Sequence, residues 1–174
     1  LGPGGPCVTY IGPGGAGHYV KMVHNGIEYG VMACIAETYD IMGRVLGLST
    51  PAAGRVFGEW KEGPLGSYLM EITEAVLCYI DPETGQPLVD LILDRAGQKG
   101  TGKWTSQDAF DVGVPIPTID CAVIDRIISA FKEERVKAAE VLSGPDERPA
   151  VDREALLGDL RDALYGSVIT AYAQ

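Results

Sequence analysis

Lys21, His24, Asn25 and Glu28 stand at positions i, i+3, i+4 and i+7. On a helix this spacing projects all four side chains from one face over two turns. A base, an imidazole, an amide and an acid in one row are the residue types of proton-transfer chemistry. A lysine acts as a base only where burial or nearby positive charge favours its neutral form. A glutamic acid keeps its proton only where burial disfavours the carboxylate. Taken alone, the same row also fits a solvated helix face. A second stretch, Gly97-Gln98-Lys99-Gly100-Thr101-Gly102-Lys103, favours an anion. Its glycines let backbone N–H groups approach closely, and Lys99 and Lys103 add charge.

The second stretch and the segment just before the row also match phosphate motifs, and neither match holds. The second has the GxxxxGK spacing, but Trp104 occupies the Ser/Thr position that should hold magnesium, and no Walker-B strand follows. Gly12-Pro13-Gly14-Gly15-Ala16-Gly17 fits GxGxxG between a short β-prone run and a helix. A dinucleotide fold needs a second strand with an acidic residue about 20 positions on. Here that region, through Glu37 and Asp40, is still helix. The glycines read better as a flexible join.

The elements that must carry these residues are helices. Val20, Val23, Ile27, Val31, Cys34, Thr38 and Ile41 recur at helical steps, so Gly17 to Arg44 is one long helix. From Val31 to Ala36 it is apolar nearly all round, which predicts burial. Cys7 to Ile11 reads as a short strand that cannot make a sheet alone. Thr50 followed by Pro51 predicts an N-cap and N1 pair opening a helix to Trp60. Leu65 to Ile80 is helical, with Leu69, Ile72, Val76 and Tyr79 on one face, and Leu88 to Leu93 is too short to classify. Asp94 to Trp104 reads as a loop, and Thr105 with Asp108 as a weak capping box for a helix to Asp111. A further helix runs from Thr118, with a bend, to Leu142, and Ser143 to Pro149 is a polar loop. Asp152 caps a last helix striped by Leu156, Leu160, Leu164 and Val168. The fold class is all-α.

The two stretches together resemble 6-phosphogluconate dehydrogenase, the decarboxylating enzyme. The resemblance rests on Gly15-Ala16-Gly17-His18-Tyr19-Val20-Lys21-Met22-Val23-His24-Asn25-Gly26-Ile27-Glu28-Tyr29-Gly30 and on Ile92-Leu93-Asp94-Arg95-Ala96-Gly97-Gln98-Lys99-Gly100-Thr101-Gly102-Lys103-Trp104. It extends over essentially the whole chain, with departures such as Val31 where many members carry an acid. It implies that residues 1–16 are the end of an NADP-binding Rossmann domain, whose last strand corresponds to Val8 to Ile11, and a linker. Residues 17–174 would be part of the all-helical catalytic and dimerisation domain. It further implies that NADP is held mainly by a domain outside these residues, so that the chain alone is inactive. By resemblance Lys21 is the base that takes the 3-hydroxyl proton of 6-phosphogluconate, and Glu28 the acid that protonates C1 of the enediol. His24 and Asn25 hold hydroxyl and carboxylate groups of the sugar acid, and Tyr29, Lys99, Thr101 and Arg126 serve its phosphate. Locally nothing distinguishes Arg126 from Arg135. A reading of a different class remains beside this one: a non-catalytic helical module that binds an anion or self-associates.

Composition narrows the classes. The chain is 46% apolar with a net charge of −10, which argues against a general nucleic-acid or membrane surface. Cys7, Cys34, Cys78 and Cys121 are scattered, without a CxxC pair or a histidine at ligand spacing. They read as buried thiols rather than metal ligands, which suits a reducing, cytoplasmic setting. The resemblance implies a cytoplasmic homodimer.

Overall fold

A computed structural model of the chain describes residues 8–144 and 149–174. Among the described residues eight helices follow one another: α1 (Ala16–Arg44), α2 (Thr50–Trp60), α3 (Tyr68–Cys78), α4 (Leu88–Leu91), α5 (Thr101–Val112), α6 (Pro117–Ser129), α7 (Lys132–Ala139) and α8 (Arg153–Ala173). No strand occurs among the described residues; an isolated bridge joins Ile80 and Pro87. The expected strand at Val8 to Ile11 is irregular and exposed, because no segment among the described residues offers it a ladder partner.

The long first helix is the axis of the molecule. Its C-terminal half packs with α2, α3 and α8 around Val31, Ile35, Met42, Phe57, Met70, Leu77 and Leu164. Phe57 and Met42 are fully shielded from water. Its middle packs against α5 and α6 around Tyr29, Ala109, Ile116, Ile119 and Val123, and Ile27 touches both clusters. The apolar segment expected to be buried is so only in part: Val31 and Ile35 are inside, Met32, Ala33 and Cys34 are half-buried, and Ala36 is exposed. Thr38 is buried in the stripe because its hydroxyl donates to the Cys34 carbonyl, 2.7 Å away, which satisfies a polar group inside the core.

Several boundaries differ from the sequence expectation. Ser49, not Thr50, is the N-cap of α2. Thr50 is instead buried between Tyr39 (2.9 Å) and Asp90 (3.1 Å), so its hydroxyl serves a tertiary contact. The third helix begins after Ser67, whose hydroxyl accepts from the Met70 N–H, and Met70 and Leu77 rather than Val76 and Tyr79 form its buried face. Leu88 to Leu91 makes a single helical turn.

Thr105 is not a cap. Helix α5 starts at Thr101 because Gly100, at φ 103°, takes a left-handed conformation that side-chain-bearing residues avoid. Thr105 then lies inside the helix. The helix expected from Thr118 to Leu142 is broken at Ala130 and Phe131 into α6 and α7. Asp152 caps α8 as expected, accepting from the N–H groups of Glu154 and Ala155. Of the expected loop from Ser143 to Pro149, residues 145–148 lie outside the described residues. The thiols are less buried than expected: Cys34 and Cys78 are half-buried and Cys121 is exposed, while Cys7 lies outside the described residues.

Candidate active site

The row on α1 forms as the spacing demands. The Lys21 ammonium lies 3.4 Å from His24 Nδ1 and donates to Asn25 Oδ1 at 2.5 Å. His24 Nδ1 lies 3.5 Å from a Glu28 carboxylate oxygen. Lys21 and His24 are exposed, and the Glu28 side chain is about one-third exposed. The burial that neutral lysine or protonated glutamate chemistry requires is therefore not supplied by the described residues around this row. His24 and Glu28 face a cavity of about 300 Å³ that also reaches Ser67, Tyr68 and Tyr172.

Helix α5 packs along α1, with Thr101, Thr105 and Asp108 meeting Asn25, Met22 and Tyr19 in turn, and joins the row to the Gly-rich loop. Asn25 Nδ2 donates to the Thr101 hydroxyl at 3.1 Å, so Thr101 touches the α1 row. One turn on, Thr105 donates to the Met22 carbonyl at 3.0 Å and to the Thr101 carbonyl at 2.9 Å. The approach is close because glycines face it. A Cβ on Gly26 would sit 2.9 Å from Thr105 Cγ2, and one on Gly102 would sit 2.7 Å from the Tyr29 ring.

Tyr29 is thereby buried with its ring against Gly102 of α5. The Arg126 guanidinium lies 3.9 Å from its ring centroid, within the reach of a cation–π contact. Arg126 Nη1 also donates to the Gly97 carbonyl at 3.3 Å. The structure thus separates Arg126 from Arg135, which the sequence could not: Arg126 lies over Tyr29 and beside the loop, whereas Arg135 holds Asp94 and Ser129. Lys99 is exposed on the same loop. The candidate residues therefore fall into two groups: Lys21, His24, Asn25, Glu28 and Thr101, and, across Tyr29, Arg126 with the loop that carries Lys99.

The 6-phosphogluconate dehydrogenase, C-terminal domain, family matches residues 17–174. The chain belongs to that family. It is 60% identical over 172 residues to the NADP(+)-dependent, decarboxylating 6-phosphogluconate dehydrogenase of Bacillus subtilis, covering 98% of this chain and 37% of that protein. It is 57% identical over 171 residues to the decarboxylating 6-phosphogluconate dehydrogenase of Lactococcus lactis, covering 98% of this chain and 36% of that one. Among solved structures, the 6-phosphogluconate dehydrogenase of Plasmodium falciparum, described in its apo form and in complex with NADP+ and with 6-phosphogluconate, superposes with a TM-score of 0.88 at 48% identity. That match covers 99% of this chain and 37% of the other. The chain thus spans somewhat over a third of the length of these 6-phosphogluconate dehydrogenases.

Gly14 turns at φ 60° and the segment before it is exposed and unpaired, so the GxGxxG match has no sheet to bind on. No group of three or more His, Cys, Asp or Glu side chains arranged to hold a metal occurs among the described residues. Reasoning from sequence missed two contacts near the site. The Tyr19 hydroxyl donates to Asp108, which, with a smaller contribution from burial, holds the phenol above its usual pKa. Asp94 is bonded by Lys132 and Arg135. Neither contact has a local sequence signal, since Tyr19 and Asp108 lie on different helices and Asp94 lies on the loop before α5, distant in sequence from Lys132 and Arg135 of α7.

Proposed function

We propose that this chain is the substrate-side, helical part of a 6-phosphogluconate dehydrogenase that converts 6-phosphogluconate to ribulose 5-phosphate with reduction of NADP. The observation that carries the reading is the continuity from Lys21 through Asn25 to Thr101, with Glu28 two turns along the same helix and Arg126 beside Tyr29. It accounts for both ends of such a substrate: an acid–base row for the sugar-acid carbons and cations for a phosphate.

In this reading Lys21 accepts the proton of the C3 hydroxyl as that carbon is oxidised. The resulting β-keto acid loses its C1 carboxylate as carbon dioxide. Glu28 then protonates the enediol carbon that becomes C1 of the product. His24 and Asn25 hold the hydroxyl and carboxylate groups between them, and Tyr29, Lys99, Thr101 and Arg126 hold the phosphate, for which an arginine offers a bidentate fork. Oxidation also needs a hydride acceptor, NADP in the named relative, which the described residues do not fit. Residues 1–16 are accordingly read as the end of a nucleotide-binding domain and its linker, and residues 17–174 as part of the catalytic and dimerisation domain. Exposed Phe110, Val112 and Tyr172 support a homodimer, and the unpaired thiols of Cys34, Cys78 and Cys121 support a cytoplasmic location. No helix of the described residues is long and apolar enough to cross a membrane.

The test places Lys21→Met in a protein of the relatives' full length. Loss of a positioned general base lowers turnover by about 10²–10⁴-fold, while 6-phosphogluconate binding persists. An unchanged turnover number refutes the assignment. The chain of 174 residues by itself produces no NADPH from 6-phosphogluconate.

A further inference from the structure

The loop from Asp94 to Gly100 has no regular secondary structure and is almost entirely exposed, yet it carries Lys99. A lysine on a free loop is a poor phosphate ligand, because the loop must be ordered at each binding event. Three of its residues are tied down in succession by the junction between α6 and α7. Asp94 is bonded through its carboxylate by Lys132 and by Arg135 Nη1 at 3.0 Å, and through its carbonyl by Arg135 Nη2 at 2.8 Å. The Ala96 N–H donates to Ser129 Oγ at 3.0 Å. The Gly97 carbonyl accepts from Arg126.

The clamp is itself braced. Ser129 Oγ donates to the Arg126 carbonyl at 2.7 Å, and Arg135 Nη2 donates to the Ser129 carbonyl at 3.1 Å. One guanidinium therefore holds the loop at Asp94 and the end of α6 at Ser129. The two cations hold the Asp94 carboxyl well below its ordinary value, at about 2, so the clamp is charged throughout the neutral range.

We propose that Asp94, Ser129 and Arg135 are positioning residues that hold the Gly97–Lys99 turn beside Arg126, so that Lys99 and Arg126 meet a substrate phosphate as a preformed pair. The inference rests on the substrate reading given under Proposed function. The geometry that carries it is the succession of tethers at Asp94, Ala96 and Gly97, all anchored within the stretch from Arg126 to Arg135. None of the three positioning residues touches the substrate in this arrangement. Their effect passes through Lys99, and it is confined to the phosphate.

The experiment titrates the purified chain with 6-phosphogluconate and, separately, with gluconate, which lacks the phosphate. The variants are Asp94→Ala, Ser129→Ala, Lys99→Ala, the double variant Asp94→Ala/Lys99→Ala, and Asp94→Glu. If the clamped loop falls to about a tenth of its population, affinity for 6-phosphogluconate falls about tenfold. Asp94→Ala and Ser129→Ala are expected to show that loss with gluconate binding unchanged, and Asp94→Glu to recover part of it. In the Lys99→Ala background, Asp94→Ala is expected to cost nothing more, the signature of two residues acting as a unit. Additive losses, or equal losses for both ligands, overturn the proposal and leave a merely structural ion pair. Amide exchange in the free chain gives an independent readout: Ala96 to Lys99 exchange faster in Asp94→Ala than in the wild type, and unchanged rates overturn the clamp. A wild-type chain that binds the two ligands equally refutes the substrate reading instead, and the exchange measurement then decides the clamp alone.

Discussion

Gly26→Ala sets two effects of opposite sign against each other. Gly26 lies inside α1, where alanine is favoured over glycine by about 1 kcal/mol in helix propensity. The added Cβ, however, would lie 2.9 Å from Thr105 Cγ2, 3.0 Å from its Oγ1 and 3.1 Å from its Cβ. Thr105 cannot turn aside, because its hydroxyl is committed to the Met22 and Thr101 carbonyls at 3.0 and 2.9 Å and its β-branch restricts χ1. Helix α5 must then move off α1, an overpacking cost of about 1–3 kcal/mol to which about 1 kcal/mol is added for a broken buried hydrogen bond. The net expectation is a destabilisation of about 1–3 kcal/mol, or a Tm lowered by about 2–12 °C for a chain of this size. Urea denaturation of Gly26→Ala should show the lowered midpoint with an unchanged slope. Gly166→Ala in α8, where no atom lies within 4 Å of the new methyl, should instead gain up to about 1 kcal/mol. Thr105→Ser removes the nearest atom and should recover part of the loss in the Gly26→Ala background. A Gly26→Ala chain as stable as the wild type refutes the close-approach argument, since propensity alone would then have governed the site.

Phe57→Ala should cost about 3–5 kcal/mol, read in the same denaturation experiment, because Phe57 is fully buried between the α1 and α3 sides of the larger core. The acid limb of stability should carry a contribution from Asp94. Its folded pKa, about 2, lies below the ordinary 3.8 through its bonds to Lys132 and Arg135, so the stabilisation is complete above the ordinary value and is lost as the pH falls through about 2. Asp94→Asn removes that part of the acid dependence; an acid limb identical to that of the wild type refutes it.

The fold was legible where periodicity is long and caps are strong. The α1 stripe from Val20 to Ile41 runs for about six turns, and Asp152 bonds the N–H groups that a capping aspartate should. The same regularity exposed the Lys21, His24, Asn25 and Glu28 row, since four residues on one helix need no tertiary information to be neighbours. What was not legible depends on partners distant in sequence. Thr105 looks like a cap because threonines often are, but Gly100 starts the helix earlier and Thr105 is taken up by a carbonyl of α1. Nothing at Ala130 or Phe131 signals a helix break. The α6 carbonyl at Ser129 is instead satisfied by Arg135 from the following helix, and such a contact has no periodic trace. The placement of Arg126 against Tyr29 and Gly97 is hidden for the same reason.

The glycines of α1 explain how an exposed acid–base row comes to lie beside a phosphate-type loop. A glycine inside a helix costs about 0.5–1 kcal/mol relative to alanine, and α1 has Gly26 and Gly30 one turn apart. Each faces a threonine of another helix: Thr105 of α5 across Gly26, and Thr118 of α6 across Gly30, where a Cβ would lie 3.3 Å from the threonine methyl. Gly102 returns the contact from α5 by making room for Tyr29. These three close approaches alternate along the chain with the chemistry-bearing residues: Asn25 next to Gly26, Tyr29 next to Gly30, Thr101 next to Gly102. Each glycine lets a backbone come near, and its neighbour uses that nearness, as in the Asn25–Thr101 bond at 3.1 Å and the Tyr29–Arg126 stack at 3.9 Å. Side chains at these glycines would hold α5 and α6 away from α1 and part the two groups of site residues, even with every site residue intact. The helical stability given up at Gly26, Gly30 and Gly102 is therefore part of what brings the candidate site residues together.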